Sequence, residues 1–374
     1  MKLLSILVLT LSTMSAQTWI AYVGTYTQGF SRGIYSLSYD PQTGALTPIA
    51  LAAQTVSPSF LAARPDGRVL VAVNESRRYN GVLNSGSVSS FSIDAATGDL
   101  TLINAVPSRG ADPCHVTFDR TGRWLFVANY SGGSISVFSV AEDGTLSDAT
   151  QIVHHENPSN ANPVRQDAPH VHSVDISPDN RFLYVSDLGK DQIIVYNFDA
   201  ATGQLTPHTA ANVKPGSGPR HIAFSRDRRY LYALSEISAT VTAFRHDAAT
   251  ANLEEFQTIT TLPHGYIGEK SGAEIAVDPS GRFLYATNRA HNSIAAFSID
   301  GEQGRLTLIG HVATQGRTPR HFAIGPEGTH LIVANQDTDT LTVFNIDQTT
   351  GALTLASEPL GVPRPVCVLL VAHR

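Results

Sequence analysis

Short apolar runs alternate with polar turns along almost the whole chain, in a unit that occurs six times. The first copy runs from Pro58 through the turn Pro65-Asp-Gly-Arg68 to a second apolar run at 69–73. Two apolar runs of strand length around such a turn predict a β-hairpin. The other five copies have the same form and begin at Pro113, His172, Pro219, Gly272 and Pro319.

A second hairpin follows each of these units along the chain. Its turn is often Asp-x-x-Thr-Gly, as at Asp94 to Gly98, where Asp and Gly suit the geometry of a turn. Each unit therefore has four predicted strands and no helical pattern, and the units are spaced by roughly 50 residues. Repeats made only of strands predict an all-β propeller.

The two ends of the chain complete the ring. Residues 362–370 match the first strand of a repeat but have no second strand after them, whereas residues 19–25 match a second strand with no first strand before them. We expect the C-terminal segment to form the inner strand of the blade that the N-terminus begins, which leaves no open sheet edge there. This closure predicts seven blades.

Composition limits the class of protein and its location. The 374 residues are 42% hydrophobic with a formal net charge of −6, which argues against a nucleic-acid partner. Residues 1–16 resemble a signal peptide, with Lys2 before an apolar run too short to span a bilayer. We expect a periplasmic or secreted protein with one propeller domain at 17–374, or a cytoplasmic protein if the leader does not act as a signal. No later segment is long and apolar enough to span a membrane. We expect the protein to be a monomer.

The chain has two cysteines, Cys114 and Cys367. Both fall in predicted inner strands of blades that are not neighbours. We therefore expect two buried thiols rather than a disulfide.

The start of each inner strand and the end of each second strand lie at the same mouth of the channel, so equivalent positions of the repeats can be compared there. A purely structural propeller should have similar residues at these positions, and differences between them indicate where function lies. The second positions of the inner strands, from blade one to blade seven, are Arg364, Ser59, Cys114, His172, Arg220, Ala273 and Arg320. The third positions are Pro365, Phe60, His115, Ser173, His221, Glu274 and His321. The ends of the second strands are Thr25, Glu75, Tyr130, Leu188, Glu236, Arg289 and Gln336. Arg, His and Glu concentrate in blades four to seven.

Four of these residues are the predicted catalytic group. Arg220 and Glu236 belong to one hairpin, Arg289 occupies the position of Glu236 one blade further on, and His172 opens blade four. A carboxylate beside guanidinium and imidazole groups suits acid–base chemistry on an anion, although a structural ion pair would look the same. We expect His170, His221, Glu274 and Arg320 to contribute to substrate binding, although the recurrence of His115, His221 and His321 in phase also suits blade packing.

Other chemistries find less support in the sequence. No tight metal-ligand motif and no Gly-x-Ser-x-Gly elbow occurs, so we expect neither a metal site nor serine acyl chemistry, and no cofactor. Two segments interrupt the period, at 157–169 and 264–271. Both precede inner strands, so we expect either of them to wall or cover a pocket.

The sequence resembles the seven-bladed lactonase family, which includes the propeller-type 6-phosphogluconolactonases and the fungal 3-carboxy-cis,cis-muconate cyclase. The phrases that carry the resemblance are Pro169-His-Val-His-Ser-Val-Asp175, Gly218-Pro-Arg-His221, Leu234-Ser-Glu236 and Thr287-Asn-Arg289. The family's active site has a His, two Arg and a Glu at the channel mouth. The resemblance places these roles on His172, Arg220, Arg289 and Glu236.

The resemblance implies a metal-independent hydrolase that acts on a small anionic sugar lactone. Glu236, together with His172, would activate water, and the two arginines would bind the anion and the developing oxyanion. Two alternatives remain open at this point. One is a carboxymuconate-type cycloisomerase that closes the lactone with the same residues, and the other is a non-catalytic periplasmic binding propeller.

Overall fold

The computed structural model describes residues 18–373 and contains seven antiparallel blade sheets. In blades two to seven the strands follow chain order from the channel outwards, whereas the inner strand of blade one is the last strand of the chain. Each inner strand contacts the inner strands of both neighbouring blades, so the sheets form a closed ring. The predicted seven-bladed all-β propeller is confirmed. The predicted signal peptide lies outside the described residues.

The strand bounds repeat closely from blade to blade. The inner strands of blades one to seven are Pro365–His373, Pro58–Ala63, Pro113–Phe118, Val171–Ile176, Pro219–Phe224, Gly272–Val277 and Pro319–Ile324. The second strands are Thr18–Thr25, Val69–Asn74, Trp124–Asn129, Phe182–Asp187, Tyr230–Ser235, Phe283–Asn288 and His330–Asn335. The third strands are Gly33–Tyr39, Ser87–Ile93, Ser134–Val140, Gln192–Asp199, Thr240–His246, Ser293–Ile299 and Thr340–Ile346.

The outer strands are more variable. In blades one to six they are Leu46–Gln54, Leu100–Pro107, Leu146–His154, Gln204–Asn212, Leu253–Thr260 and Leu306–Ala313. In blade seven the outer edge is split into Leu353–Leu355 and Leu360–Gly361, which both pair with the third strand. A small hairpin of Arg78–Tyr79 and Val82–Leu83 and a 3₁₀ turn at Gln336–Thr338 complete the described elements.

Blade one is built from both ends of the chain. The first described strand pairs antiparallel with the last, from Thr18 opposite His373 to Thr25 opposite Pro365. The inner strand of blade one contacts the inner strands of blades two and seven. The two ends thus close the ring as the sequence predicts, and the open edge that an incomplete blade would leave is paired.

The blades are held together by the turns between their third and outer strands. The hydroxyl group of Tyr232 in blade five donates a hydrogen bond of 2.9 Å to the carbonyl oxygen of Gly304, in the turn of blade six. The hydroxyl group of Tyr285 makes the equivalent bond of 2.9 Å to Gly351 of blade seven. Because these tyrosines are fully buried, the contacts fix each blade against the next.

Two further sequence predictions can be compared with the fold. Cys114 and Cys367 are both buried and unbonded, so the prediction of two thiols is confirmed. Among the described residues, no helix is long and apolar enough to cross a bilayer.

Candidate active site

A β-bulge at the start of the inner strands places the site residues. In blades two to seven the pairing of the inner strand skips its second residue, as between Val171 and Ser173 or between Pro219 and His221. A bulge leaves the skipped residue unpaired and re-aims its side chain. In blades four and five these residues are His172 and Arg220, and both reach the centre of the ring, where they meet Glu236.

Glu236 is the centre of the charged cluster. Its side chain is 5% exposed and is ion-paired with three arginines. Arg220 Nε lies 3.1 Å and Arg289 Nη2 lies 2.7 Å from Oε2, while Arg165 donates to Oε1. Burial alone would raise the pKa of Glu236, but the charges of these arginines outweigh it and hold the pKa well below its ordinary value of 4.5. Glu236 is therefore a permanent carboxylate at neutral pH.

His172 lies beside this carboxylate, with its Nε2 atom 3.9 Å from Oε2 of Glu236. Burial lowers the pKa of His172 well below 6.5, and the charge of Arg220 lowers it further. The imidazole is therefore neutral at physiological pH. The thiol of Cys114 lies 4.0 Å from Nδ1 and donates to the backbone carbonyl of His172, 3.3 Å away.

Among the described residues, Arg320 carries a positive charge that makes no direct ion pair with a carboxylate. Its guanidinium lies over the ring of Tyr26, 5.2 Å from the ring centre. Within residues 18–373 it has neither an ion-pair partner nor a side-chain hydrogen bond. Burial alone would lower the pKa of Arg320, but Tyr26 and Glu75 raise it, so the guanidinium stays charged.

Arg220 is held from below by a second layer of side chains. Its Nη1 atom donates to the carbonyl oxygen of Ala273 at 2.6 Å and lies 3.3 Å from Nε2 of His221. His221 Nδ1 lies 2.9 Å from the carboxylate of Glu274, and His321 Nε2 lies 3.5 Å from the same oxygen. The structure thus places His221 and Glu274 beneath Arg220 rather than on the cavity surface.

The third positions of the inner strands also pack against each other in this layer. The ring centres of Phe60 and His115 are 4.2 Å apart, and those of His115 and His221 are 5.2 Å apart. Burial lowers the pKa of both histidines, so both rings are neutral. This layer fills the channel below the charged cluster.

The interruption at 157–169 contributes one side chain to the site. Arg165 donates to Glu236 and to the hydroxyl group of Tyr130, at 3.2 Å from the latter. Its neighbour Gln166 is fully buried and donates to the carbonyl oxygen of Leu188 at 2.8 Å. The segment is therefore anchored to blade four and forms a wall of the site.

His170, from the strand start that follows this segment, lies beside the cluster and not on the cavity surface. Its ring stacks on Tyr130 with the ring centres 4.5 Å apart, and its Nδ1–H donates to the carbonyl oxygen of Tyr130 at 3.1 Å. This contact supports the ring of Tyr130.

A cavity of ≈ 230 Å³ opens above the cluster. Its lining residues are Tyr26, Glu75, Cys114, Tyr130, Arg165, His172, Glu236, Arg289 and Arg320. Within the described chain, the second interruption at 264–271 supplies none of them. Clefts of ≈ 920 Å³ beside Trp19 and ≈ 500 Å³ beside Phe91 are larger, but neither brings an imidazole together with acid and guanidinium groups.

Sequence reasoning brought together His172, Glu236, Arg289 and Arg320 at this cavity but missed Arg165, Tyr26, Glu75 and Tyr130 as site residues. Glu75 and Tyr130 stand at the ends of second strands, so the comparison of repeats contained the signal for both. Arg165 lies in an interruption without a counterpart in other blades, so no positional comparison could find it. Among residues 18–373, no three or more His, Cys, Asp or Glu side chains are grouped to bind a metal ion.

Comparison with known sequences identifies the family of the protein. The family model described as "Lactonase, 7-bladed beta-propeller" matches residues 20–370. The chain belongs to this lactonase family. A 6-phosphogluconolactonase of Bacillus subtilis is 34% identical over 302 residues, covering 81% of this chain and 84% of that protein. One from Formosa agariphila is 35% identical over 306 residues, covering 80% and 84%.

Solved structures of the lactonase family agree with the fold. The periplasmic gluconolactonase PpgL of Pseudomonas aeruginosa matches with a TM-score of 0.90 and 35% identity, over 96% of this chain and 100% of that one. The family resemblance seen in the sequence is confirmed. The predicted class of enzyme, a lactonase among the carboxylic ester hydrolases, is favoured over the cycloisomerase and the non-catalytic alternatives.

Proposed function

We propose that the protein hydrolyses a small anionic sugar lactone in the cavity at the channel mouth. The observation that carries the proposal is that a neutral imidazole, His172, and a guanidinium without a direct ion pair, Arg320, line one cavity. The first can accept a proton from water, and the second can bind an anionic substrate group. The lactonases among its relatives support the same chemistry.

His172 is the proposed general base. It takes a proton from a water molecule whose oxygen attacks the lactone carbonyl carbon. When the bond between that carbon and the ring oxygen breaks, His172 returns the proton to the ring oxygen. The product is the open-chain hydroxy acid, so lactone and water are consumed one for one.

Glu236 has a different role in this mechanism from the base predicted from the sequence. Arg165 binds one oxygen of its carboxylate, and Arg220 and Arg289 bind the other. Because these ion pairs stabilise the charged form and lower the pKa of Glu236, the carboxylate is not free to accept a proton from water. Its charge instead stabilises the imidazolium that forms on His172, whose Nε2 lies 3.9 Å away. It also holds Arg165 and Arg289 in place to stabilise the negative oxygen of the tetrahedral intermediate.

Arg320 is the proposed anchor for the substrate's phosphate or carboxylate group. Arg289 also lines the cavity, and its buried Nε atom has no hydrogen-bond partner among the described residues. His221 and Glu274 position Arg220 from below, and His170 supports Tyr130, so these three residues act on the site indirectly.

We also propose export of the protein to the periplasm. The predicted signal peptide at 1–16 and the periplasmic location stated for the Pseudomonas relative support this location. Mass spectrometry of the protein from a periplasmic fraction is expected to find a mature N-terminus at Gln17. An intact N-terminus in the cytoplasmic fraction would overturn the proposal.

The proposed activity is tested with a panel of phosphorylated, carboxylated and uncharged lactones, with and without a chelator. We expect hydrolysis of an anionic sugar lactone that persists in the chelator. In His172→Gln, kcat should fall by about 10²- to 10⁴-fold, because the base is removed. The control is His208→Gln, an exposed histidine on the outer strand of blade four. Rates no higher than spontaneous hydrolysis for every lactone, with a folded wild type, would overturn the proposal.

A further inference from the structure

The cavity has a second carboxylate, on Glu75, at the position that Glu236 occupies in the repeat. Both residues follow the last residue of a second strand, Glu75 in blade two and Glu236 in blade five. Both line the same cavity. The site therefore contains two carboxylates at equivalent positions of the repeat, and their surroundings differ.

These surroundings differ in the cations that make direct contact. Glu236 is ion-paired with three arginines. Glu75 accepts one hydrogen bond, from the hydroxyl group of Tyr26 at 2.8 Å, and among residues 18–373 it has no ion pair with any Lys, Arg or His. Glu75 interacts with the charge of Arg320 without a direct ion pair, so its carboxylate can still accept hydrogen bonds from a ligand.

Glu75 is nevertheless held in one place. Its backbone N–H donates to the carbonyl oxygen of Ser57 at 3.0 Å. Tyr26, which binds its Oε2 atom, is itself fixed by a backbone hydrogen bond of 3.1 Å to Arg364 and lies under the guanidinium of Arg320. The Oε1 atom of Glu75 has no hydrogen-bond partner among the described residues. A half-buried, fixed acceptor thus stands next to the proposed anion anchor.

The chemistry of this arrangement selects among anionic ligands. An ionised carboxylate only accepts hydrogen bonds, so it favours a ligand that offers hydroxyl groups. It also repels a second carboxylate placed against it, and such repulsion contributes to specificity as much as attraction does. Beside Arg320, Glu75 therefore favours one anionic group with hydroxyl groups next to it and disfavours several anionic groups.

We propose that Glu75, held by Tyr26, is a specificity residue that selects polyhydroxylated lactones with a single anionic group and rejects lactones with two or more carboxylates. The proposal rests on the proposed lactonase function and names the substrate class of the same site. The two equivalent carboxylates thus have different roles. Glu236 holds the arginines in place, and Glu75 accepts hydrogen bonds from the hydroxyl groups of the substrate.

Two substitutions separate the charge of Glu75 from its hydrogen bonding. Glu75→Gln keeps an acceptor oxygen but removes the charge, and Glu75→Ala removes both. The probes are glucono-δ-lactone 6-phosphate and a dicarboxylated butenolide without hydroxyl groups. The measured quantity is the ratio of their kcat/KM values, with kcat and KM also determined separately.

We expect Glu75→Gln to lower the preference for the sugar lactone by about tenfold, mainly because the dicarboxylated lactone becomes a better ligand. Glu75→Ala should raise KM for the sugar lactone by about tenfold to a hundredfold, with kcat changed by less than about threefold. Tyr26→Phe removes the hydroxyl group that donates to Glu75, so the carboxylate stays but is no longer held in place. This variant should raise KM for the sugar lactone by about threefold to tenfold. A residue with a purely structural role would not change the ratio of the two substrates.

The control is Glu142→Gln, an exposed carboxylate in a turn between the third and outer strands of blade three. If the wild type hydrolyses the sugar lactone and the ratio is unchanged in Glu75→Gln, the role of Glu75 is overturned while the lactonase function stands. If the wild type hydrolyses neither probe nor any other lactone, the proposed function itself is overturned. Because Glu75→Gln preserves the size of the side chain, it keeps the test decisive even if Glu75→Ala does not fold.

Discussion

Single residues in this protein obtain their chemistry from burial and from neighbouring charges. His172 and Glu236 lie 3.9 Å apart, yet burial leaves the imidazole neutral while three arginines keep the carboxylate ionised. Two groups whose pKa values are both far from 7 can keep fixed roles over a wide pH range. This difference is the basis of the proposed division into a proton acceptor and a charge stabiliser.

The lowered pKa of His172 predicts an unusual pH profile. The neutral imidazole is the active form, so kcat/KM is lost only when the pH falls through its pKa in the folded protein, which is well below 6.5. Between about pH 7.5 and about pH 5.5 we expect kcat/KM to fall by less than about twofold. With a general-base histidine of ordinary pKa, kcat/KM would fall by about tenfold over the same range. Uncharged glucono-δ-lactone is the substrate of choice for this measurement, because it does not titrate in that range. A tenfold loss centred near pH 6.5 would contradict the mechanism.

At the scale of the elements, one local feature, a β-bulge, recurs in blades two to seven with side chains that vary from blade to blade. The bulge at the second residue of the inner strand occurs in blades two to seven, and it directs Ser59 in blade two but His172 in blade four. The scaffold is thus constant, while the chemistry is set by the residue at the bulge. The turns between third and outer strands have the complementary task of fastening the blades together.

Substitution of a turn glycine tests this fastening. Gly304 has φ +69° and a Cβ added there would lie 2.4 Å from the ring of Tyr230 in blade five. Gly67 has nearly the same φ, +72°, but open space around it. We expect Gly67→Ala to lower the free energy of unfolding by about 1 kcal/mol through backbone strain alone. Gly304→Ala should lower it by about 1–3 kcal/mol more because of the clash.

Urea unfolding of the two variants beside the wild type measures the difference. Equal losses of stability in Gly304→Ala and Gly67→Ala would show that the turn of blade six does not pack against blade five in solution.

The elements also show what a sequence can and cannot reveal. The repeat predicted the blades and their closure, because each hairpin carries its own turn signal and the incomplete ends at 19–25 and 362–370 complement each other. Positional comparison then found His172, Glu236 and Arg289. It could not find Arg165, because that residue lies in a segment outside the repeat, and its approach to Glu236 depends on how Gln166 anchors the segment to Leu188.

Roles were harder to predict than positions. Glu236 looked like a base because one arginine, Arg220, shares its hairpin. Only the folded ring shows that two further arginines converge on the same carboxylate. Glu75 stands at the equivalent position, but without the fold nothing showed that it shares a cavity with Glu236 or that it has no cationic partner.

At the scale of the whole molecule, an acidic protein concentrates positive charge at one end of its channel. The formal net charge of the chain is −6, whereas the cavity is lined by three arginines, Arg165, Arg289 and Arg320. Two of these are ion-paired with Glu236, so Arg320 is the one arginine among the described cavity residues that makes no direct ion pair. The central claim is therefore that this propeller binds its lactone through an anionic group at Arg320.

The most direct test is the ratio of kcat/KM for glucono-δ-lactone 6-phosphate to that for uncharged glucono-δ-lactone, measured in the wild type and in Arg320→Met. The control is Arg317→Met, which changes an exposed arginine in the connection that leads into the strand of Arg320. We predict that the wild type and Arg317→Met prefer the phosphorylated lactone. In Arg320→Met this preference should fall by about tenfold to a hundredfold, since a hydrogen-bonded charge pair is lost. An unchanged preference in a folded, active Arg320→Met variant would contradict the account.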